Sequence, residues 1–166
     1  TSLYFFVEST FYLKEYIKYL GFKNTAQEVS ILKSVFAQNK IYKNVEGKII
    51  FAPLSKDVED VNTKLYQTFI CIEDFIKESN GKEIKISELY TKLINIIGLR
   101  TGIIPLLFGA VIVHYKEYIY FNKNEYEYEL NADLLYEINK NPQDYTLTLN
   151  NYNKEKHTYI DNLKRL

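Results

Sequence analysis

The chain has 166 residues, and its 21 basic and 21 acidic side chains leave it with no net charge at neutral pH. Hydrophobic residues make up 46% and charged residues 25% of the sequence, which is typical of a globular chain and excludes a disordered or fibrous one. The neutral balance also lacks the basic excess of a general nucleic-acid binder. The single cysteine, Cys71, excludes an internal disulfide and a cysteine-based zinc site.

The first third of the chain predicts two helices followed by a β-hairpin. Residues 11–20 have helix-forming composition, and Gly21 is placed to end that helix. The capping-box spacing Thr25-x-x-Glu28 predicts a second helix over residues 25–38. Two short β-branched segments flank a Glu-Gly turn, so residues 41–52 are predicted to form a hairpin.

A long amphipathic helix is predicted after Pro53. Three acidic residues in its first turn, Asp57, Glu59 and Asp60, suit the positive end of the helix dipole. Apolar residues then follow at spacings of three and four: Val58, Val61, Leu65, Phe69, Ile72 and Ile76. This spacing places one apolar stripe along the helix, which Asn80-Gly81 ends.

The next segment predicts two further helices. Residues 83–86 form a short candidate strand, and Ser87 is the expected N-cap of a helix that Gly98 ends. Residues 102–115 predict an apolar helix with Pro105 in its first turn. Its apolar run covers Ile103 to Val113, well below the ~20 residues that a membrane helix needs, so we expect a buried core helix.

The last segment predicts a second hairpin and a mixed C-terminal part. Residues 118–121 and 125–130 alternate around Asn122-Lys123-Asn124, which is typical of a hairpin. A helix over 132–139, a strand over 145–149 and a helix over 154–166 are expected to follow.

Both halves of the chain follow the order helix, glycine, helix, hairpin, which is the order of a winged helix. We therefore predict an α+β, mainly helical fold with two winged-helix-like units around the long central helix. Residues 1–56 would form the first unit. Residues 57–166 would form the long helix, the second unit and a C-terminal strand and helix.

Winged helices often bind DNA, and the two units differ in this respect. The apolar helix over 102–115 offers almost no side chain that hydrogen-bonds a base edge, so the second unit is not expected to read DNA. Residues 1–52 hold seven lysines against four glutamates. A solvated lysine-rich face and a nucleic-acid contact both remain open there, and the candidate contact residues are Lys23, Gln27, Lys33, Lys40, Lys43 and Lys48.

Two other groups of residues are candidate sites. Tyrosines gather on the second hairpin, where either a partner-binding surface or a merely tyrosine-rich surface is expected, and the candidates are Tyr118, Tyr120, Tyr126 and Tyr128. Arg100, Thr101 and Gly102 precede a helix and could accept an anion, although a tight interhelical turn is the favoured explanation of these residues.

No catalytic constellation is visible in the sequence. His114 and His157 are the only histidines, and the metalloprotease, nucleophile-elbow and phosphate-loop motifs are missing. We expect no catalytic residue, metal or cofactor in this chain. With one cysteine and no apparent signal peptide or membrane segment, a cytoplasmic protein is expected.

From Ile86 onward three features follow one another: a Leu-Tyr-x-x-Leu helix, a glycine turn before an apolar helix, and an Asn-Pro before the last strand. The residues concerned are Leu89, Tyr90, Leu93, Gly98, Leu99, Arg100, Gly102, Pro105, Asn141 and Pro142. In this order of features the chain resembles a segment of large bacterial P-loop ATPases found in phage-defence and restriction-like gene clusters. This resemblance covers about 80 residues. It implies a winged-helix-like accessory module whose nucleotide site lies in another domain, with no catalytic residues to carry over.

Two functions are therefore weighed from the sequence. In the first, the chain is a non-catalytic module that packs against other domains of the same polypeptide or a partner protein. In the second, it is a free-standing tandem winged-helix DNA binder acting through residues 23–48.

Overall fold

A computed structural model describes residues 27–38, 42–45, 48–51 and 63–150. Over these residues the protein is α+β and mainly helical, with a small antiparallel sheet, as the sequence predicts. The predicted helices over 11–20 and 154–166, the capping box at Thr25 and the start of the long helix lie outside the described residues.

The first described helix, α1, runs over Gln27–Ile31 and continues as a π-helical segment over Leu32–Ala37. Phe36 is fully buried in the main hydrophobic core, so α1 packs on the rest of the chain. Strands β1 (Tyr42–Val45) and β2 (Lys48–Phe51) follow and pair in antiparallel register. This confirms the first predicted hairpin.

The long helix α2 spans Thr63–Glu78. The described members of its predicted apolar stripe are buried: Leu65, Phe69, Ile72 and Ile76. Phe75 is buried as well, which widens the stripe toward the neighbouring helices. The chain turns at Gly81, whose φ of +72° is a conformation that suits glycine.

Strand β3 (Ile84–Lys85) leads directly into helix α3, which covers Ile86–Thr91 and continues as a π-helical segment over Lys92–Ile96. The predicted N-cap at Ser87 is wrong: Lys85 is the N-cap, without a side-chain hydrogen bond, and Ser87 lies inside the first turn. Ile86 enters the helix early because its side chain is fully buried in the core.

Helix α4 spans Ile104–Ile112, between short 3₁₀ turns at Thr101–Ile103 and Val113–Tyr115. All nine of its residues are buried, so it is the central core helix of the described chain. Within the described ranges, no helix combines the length and the apolar character needed to cross a membrane.

A four-stranded antiparallel sheet covers one side of this core. Strands β4 (Ile119–Lys123) and β5 (Tyr126–Tyr128) form the second predicted hairpin. Helix α5 (Ala132–Lys140) follows, and its N-cap is Asn131, whose Oδ1 accepts a hydrogen bond from the Leu134 amide at 2.8 Å. A 3₁₀ turn at Pro142–Asp144 then leads into β6 (Thr146–Leu149).

The strand order of this sheet is β3-β6-β4-β5. Strand β6 therefore inserts between β3 and β4, and the β4–β5 hairpin extends the sheet instead of standing alone. Two-stranded hairpins are marginally stable by themselves, so pairing with β6 gives this one a fixed position.

Candidate interaction surface

The β4–β5 hairpin is anchored to the core by its buried residues. Ile119 and Phe121 of β4 point toward α4, and the ring of Phe121 meets the ring of Phe108 edge to face, with centroids 6.4 Å apart and an interplanar angle of 81°. Edge-to-face pairs of this kind add to the stabilisation from burial alone. The hairpin is consequently a rigid support for the side chains at its end.

The turn of this hairpin lies at Asn124-Glu125, one to two residues later than the predicted turn around Asn122-Lys123-Asn124. Both turn residues have positive φ, 50° for Asn124 and 68° for Glu125, which is the conformation of a two-residue type I′ turn. Asparagine tolerates this conformation well, whereas glutamate adopts it rarely.

The register divides the candidate tyrosines between two faces of the sheet. Tyr128 pairs with Phe121 and Tyr126 pairs with Lys123, so both tyrosines share the face that carries Phe121. They extend beyond the part covered by helices: Tyr126 is 72% and Tyr128 40% exposed. Tyr120 is partly buried and points to the opposite face because successive strand residues alternate.

Lys123 connects this aromatic face to the 3₁₀ turn before β6. Its Nζ lies 3.3 Å from Asp144 Oδ2 and 4.9 Å from the centre of the Tyr145 ring. The hydrogen bond to Asp144 is the main cause that raises the pKa of the Lys123 ammonium group. Tyr145 is buried beneath these groups, and its ring also contacts Tyr128 edge to face at 6.0 Å.

Three exposed glutamates, Glu125, Glu127 and Glu129, alternate with the two exposed tyrosines along β5 and its ends. We call these five residues together with Lys123 the β4–β5 surface. It combines aromatic area on one face with an excess of negative charge. Tyrosine is enriched at protein interfaces because it buries a large rigid area and keeps a polar tip.

The backbone of β5 offers an open edge. Asn150 donates its amide to the Tyr118 carbonyl at 2.8 Å, so even-numbered residues of β4 face β6 and odd-numbered ones face β5. Phe121 and Lys123 therefore exchange hydrogen bonds with Tyr128 and Tyr126. The N–H and C=O of Glu127 point away from β4, and in the described part of the chain no strand pairs with that side of β5.

The remaining predicted sites are less developed. Arg100, Thr101 and Gly102 are exposed, the Arg100 side chain makes no capping hydrogen bond, and the 3₁₀ turn that follows has three residues. Tyr118 is partly buried before β4. Among the predicted nucleic-acid residues, Lys33 is exposed on α1; Lys23 and Lys40 lie outside the described residues, as do the side chains of Gln27, Lys43 and Lys48.

Two clefts lie elsewhere on the described chain. A cleft of about 160 Å³ between α1, α2 and α4 is lined mainly by apolar side chains, with Lys64 at its rim donating a hydrogen bond to the Gly98 carbonyl at 2.9 Å. An open cleft of about 350 Å³ is lined by Cys71, Asp74 and Lys92 among others. Burial raises the pKa of the partly buried Cys71 thiol, which disfavours the nucleophilic thiolate.

The described ranges contain no group of three or more histidine, cysteine, aspartate or glutamate side chains able to hold a metal ion. His114 is partly buried in the 3₁₀ turn after α4, and His157 lies outside the described residues.

Sequence reasoning missed Asp144 and Tyr145 as neighbours of the β4–β5 surface. The signal available was weak: both follow the Asn-Pro at residues 141–142, and Tyr145 begins the alternation of β6. Their contact with Lys123 depends on the register between β4 and β6, which local patterns do not specify.

A comparison of the chain with protein-family models, with curated proteins and with solved structures gave no match in any of the three.

Proposed function

We propose that this chain is a non-catalytic protein-interaction module whose β4–β5 surface contacts a neighbouring domain or a partner protein. One observation carries the proposal. The helix in the position that would read DNA, α4, is buried at all nine residues, while Tyr126 and Tyr128, the exposed aromatic side chains among the described residues, lie on the adjacent hairpin. A helix without an accessible side chain contributes nothing to base recognition, whereas an exposed aromatic hairpin suits protein contact.

The order α3, α4, β4–β5 supports a winged-helix-like arrangement for the second unit, with the hairpin as its wing. In this proposal the wing differs from an isolated hairpin because β6 pairs with β4. Helix α1 and the β1–β2 hairpin would belong to a corresponding first unit.

The resemblance from Ile86 onward supports a proposal for the larger protein that contains this module. We place it in a larger bacterial ATPase of the phage-defence type, in the cytoplasm, where any ATPase activity would belong to another domain. The buried core helix α4 and the exposed hairpin suit an accessory role, since the former holds the fold and the latter remains accessible.

The proposal is tested by photo-crosslinking in the source cells. Tyr126 is replaced by p-benzoylphenylalanine, and exposed Glu78 on α2 provides the matched control position. We expect irradiation to link position 126 to one defined protein surface, on the same polypeptide or another, while position 78 gives no such product. Mass spectrometry of the crosslinked peptides identifies whether the linked surface belongs to the same polypeptide or to another protein. An immunoblot of the same cells gives the native size of the polypeptide.

A nuclease-sensitive adduct at position 126, or equal labelling from both positions, would contradict the proposal. Duplex DNA binding that weakens steeply with salt and is lost in Lys33→Ala plus Lys40→Ala would instead favour the alternative DNA-binding function of residues 23–48. A band near the mass of this chain alone would remove the ATPase setting.

A further inference from the structure

We infer that the open edge of β5 binds an extended protein segment with lysine or arginine at alternate positions, which adds a strand to the sheet. This inference deepens the proposed function and rests on it. It rests on three features: the backbone N–H and C=O of Glu127, which pair with no strand in the part of the chain that the structure describes, the three exposed glutamates along the edge, and the tyrosines on one face of the strand.

Backbone geometry supports strand addition at this edge. Glu127 directs its N–H and C=O away from β4, because Tyr126 and Tyr128 use theirs in the ladder with β4. An added strand would satisfy these groups, as in other complexes formed by β-augmentation. Phe121 and the pairing with β6 hold the hairpin in place, so the edge is already in the conformation that a partner strand needs.

Charge then selects the partner. Residues 125–129 read Glu-Tyr-Glu-Tyr-Glu, the same in both directions. Antiparallel pairing of two copies of β5 with matched faces therefore sets each glutamate against a glutamate, and like charges directly opposite each other destabilise a strand pair. A nucleic acid is disfavoured for the same reason, since its phosphates are also negative. Lysine or arginine at every second position of a protein segment complements the glutamates.

The exposed tyrosine rings favour apolar side chains at the positions between the basic residues of the added strand. Tyr126 and Tyr128 stand on the face that continues from Phe121, and both keep exposed ring area there. An aliphatic or aromatic side chain on the added strand would cover these rings, and alternation places such side chains on the face opposite to the basic ones. The segment we infer thus alternates basic and apolar residues.

The experiment uses fluorescein-labelled peptides with the sequence Arg-Val-Lys-Val-Arg and measures anisotropy with the full chain at 50 and 150 mM salt. We expect binding of this peptide and none of Glu-Val-Glu-Val-Glu. A scrambled Lys-Arg-Arg-Val-Val peptide keeps the charge and loses the alternation, and it should bind at least about five-fold more weakly. Equal binding of the scrambled peptide would overturn the inference, because charge alone would then explain it.

Two variants locate the site. Replacing Glu125, Glu127 and Glu129 together by glutamine should weaken peptide binding by about ten-fold. The control replaces three exposed glutamates elsewhere, at positions 78, 88 and 137, by glutamine, and it should leave peptide binding unchanged. Glu127→Pro removes the outward N–H without removing a ladder hydrogen bond, so it should abolish binding while the circular dichroism spectrum is kept. If this variant fails to fold, a peptide N-methylated at its lysine tests the same hydrogen bonds from the other side, because an antiparallel strand places that lysine opposite Glu127 and the two residues exchange backbone hydrogen bonds.

The outcomes separate this inference from the proposed function. A protein crosslink at position 126 together with no peptide binding, or with binding insensitive to Glu127→Pro and to N-methylation, overturns the strand-addition inference and leaves the proposed function standing. A nuclease-sensitive crosslink overturns the proposed function, and the inference with it.

Discussion

Tyr90 joins helices α3 and α5 through its hydroxyl group. The side chain is 3% exposed, and the hydroxyl donates a hydrogen bond to Asn139 Oδ1 at 3.0 Å. Tyr90→Phe removes this donor and leaves a part-buried amide oxygen without it, so the free energy of unfolding should fall by about 1 kcal/mol. Urea unfolding followed by circular dichroism measures the change. Tyr126→Phe, which alters a hydroxyl on a mostly exposed ring, is the matched control and should change it little.

The difference in stability between the parent chain and the Tyr90→Phe variant should depend on pH. Burial raises the pKa of Tyr90 well above its ordinary value of 10.0. Above about pH 10 the unfolded chain therefore loses this proton while the folded chain keeps it, and the free energy of unfolding falls as pH rises. Phenylalanine has no such proton, so the stability advantage of the parent chain over the Tyr90→Phe variant should shrink between about pH 9 and pH 11. A difference that stays constant over this range would contradict the pKa assignment.

At the scale of single elements, the β4–β5 turn combines a favourable residue with an unfavourable one. Glu125 has a φ of 68°, a left-handed conformation that costs a residue with a Cβ about 1 kcal/mol. Glu125→Gly creates the Asn-Gly pair preferred in type I′ turns and should raise the free energy of unfolding by about 0.5–1 kcal/mol. Thermal unfolding compared with the parent chain measures the gain.

Glu125→Gln provides the control for this variant, because it removes the charge and keeps the Cβ. We expect Gln to leave the unfolding temperature close to that of the parent chain. If Gln stabilises the chain as much as Gly, relief of repulsion among the three glutamates, and not backbone strain, is the cause.

Elements with a strong apolar period were predictable from the sequence, and their local details were less so. The spacing of Leu65, Phe69 and Ile72 identified α2, and the continuous apolar run identified α4 as a core helix. The N-cap at Ser87 was wrong because burial of Ile86 starts α3 earlier. The hairpin turn was misplaced because Glu125 occupies a position where sequence rules expect glycine.

Only part of the β4–β5 surface was predictable from the sequence. Alternation along β5 separates the tyrosines from the glutamates, and the sequence alone shows it. The register among three strands determines two further features. Tyr126 and Tyr128 share a face with Phe121, and β6 occupies the other side of β4. Register is set by non-local packing, so no pattern within a single segment reveals it.

At the scale of the whole molecule, the described helices and the four-stranded sheet share one hydrophobic core. Phe36 of α1 belongs to the same buried cluster as Phe69 of α2 and Phe108 of α4. Ser34 and Val35 also line a cleft together with residues of α2 and α4. The division into units at residue 56 stays a prediction, and this shared core makes the stability of α1 depend on that of residues 63–150.

This coupling predicts the effect of Phe36→Ala. Phe36 is fully buried in this core, and its truncation leaves a cavity there, so the free energy of unfolding should fall by about 3–5 kcal/mol. Because the core is shared, hydrogen exchange should accelerate in α2 and α4 as well as in α1. Mass spectrometry of peptic fragments measures exchange in each helix separately. The exposed residue Gln38, at the end of α1, gives the control Gln38→Ala, which should leave all three helices protected. Faster exchange confined to α1 would show instead that the first helix unfolds as an independent unit, and the chain would then consist of two modules with separate stabilities.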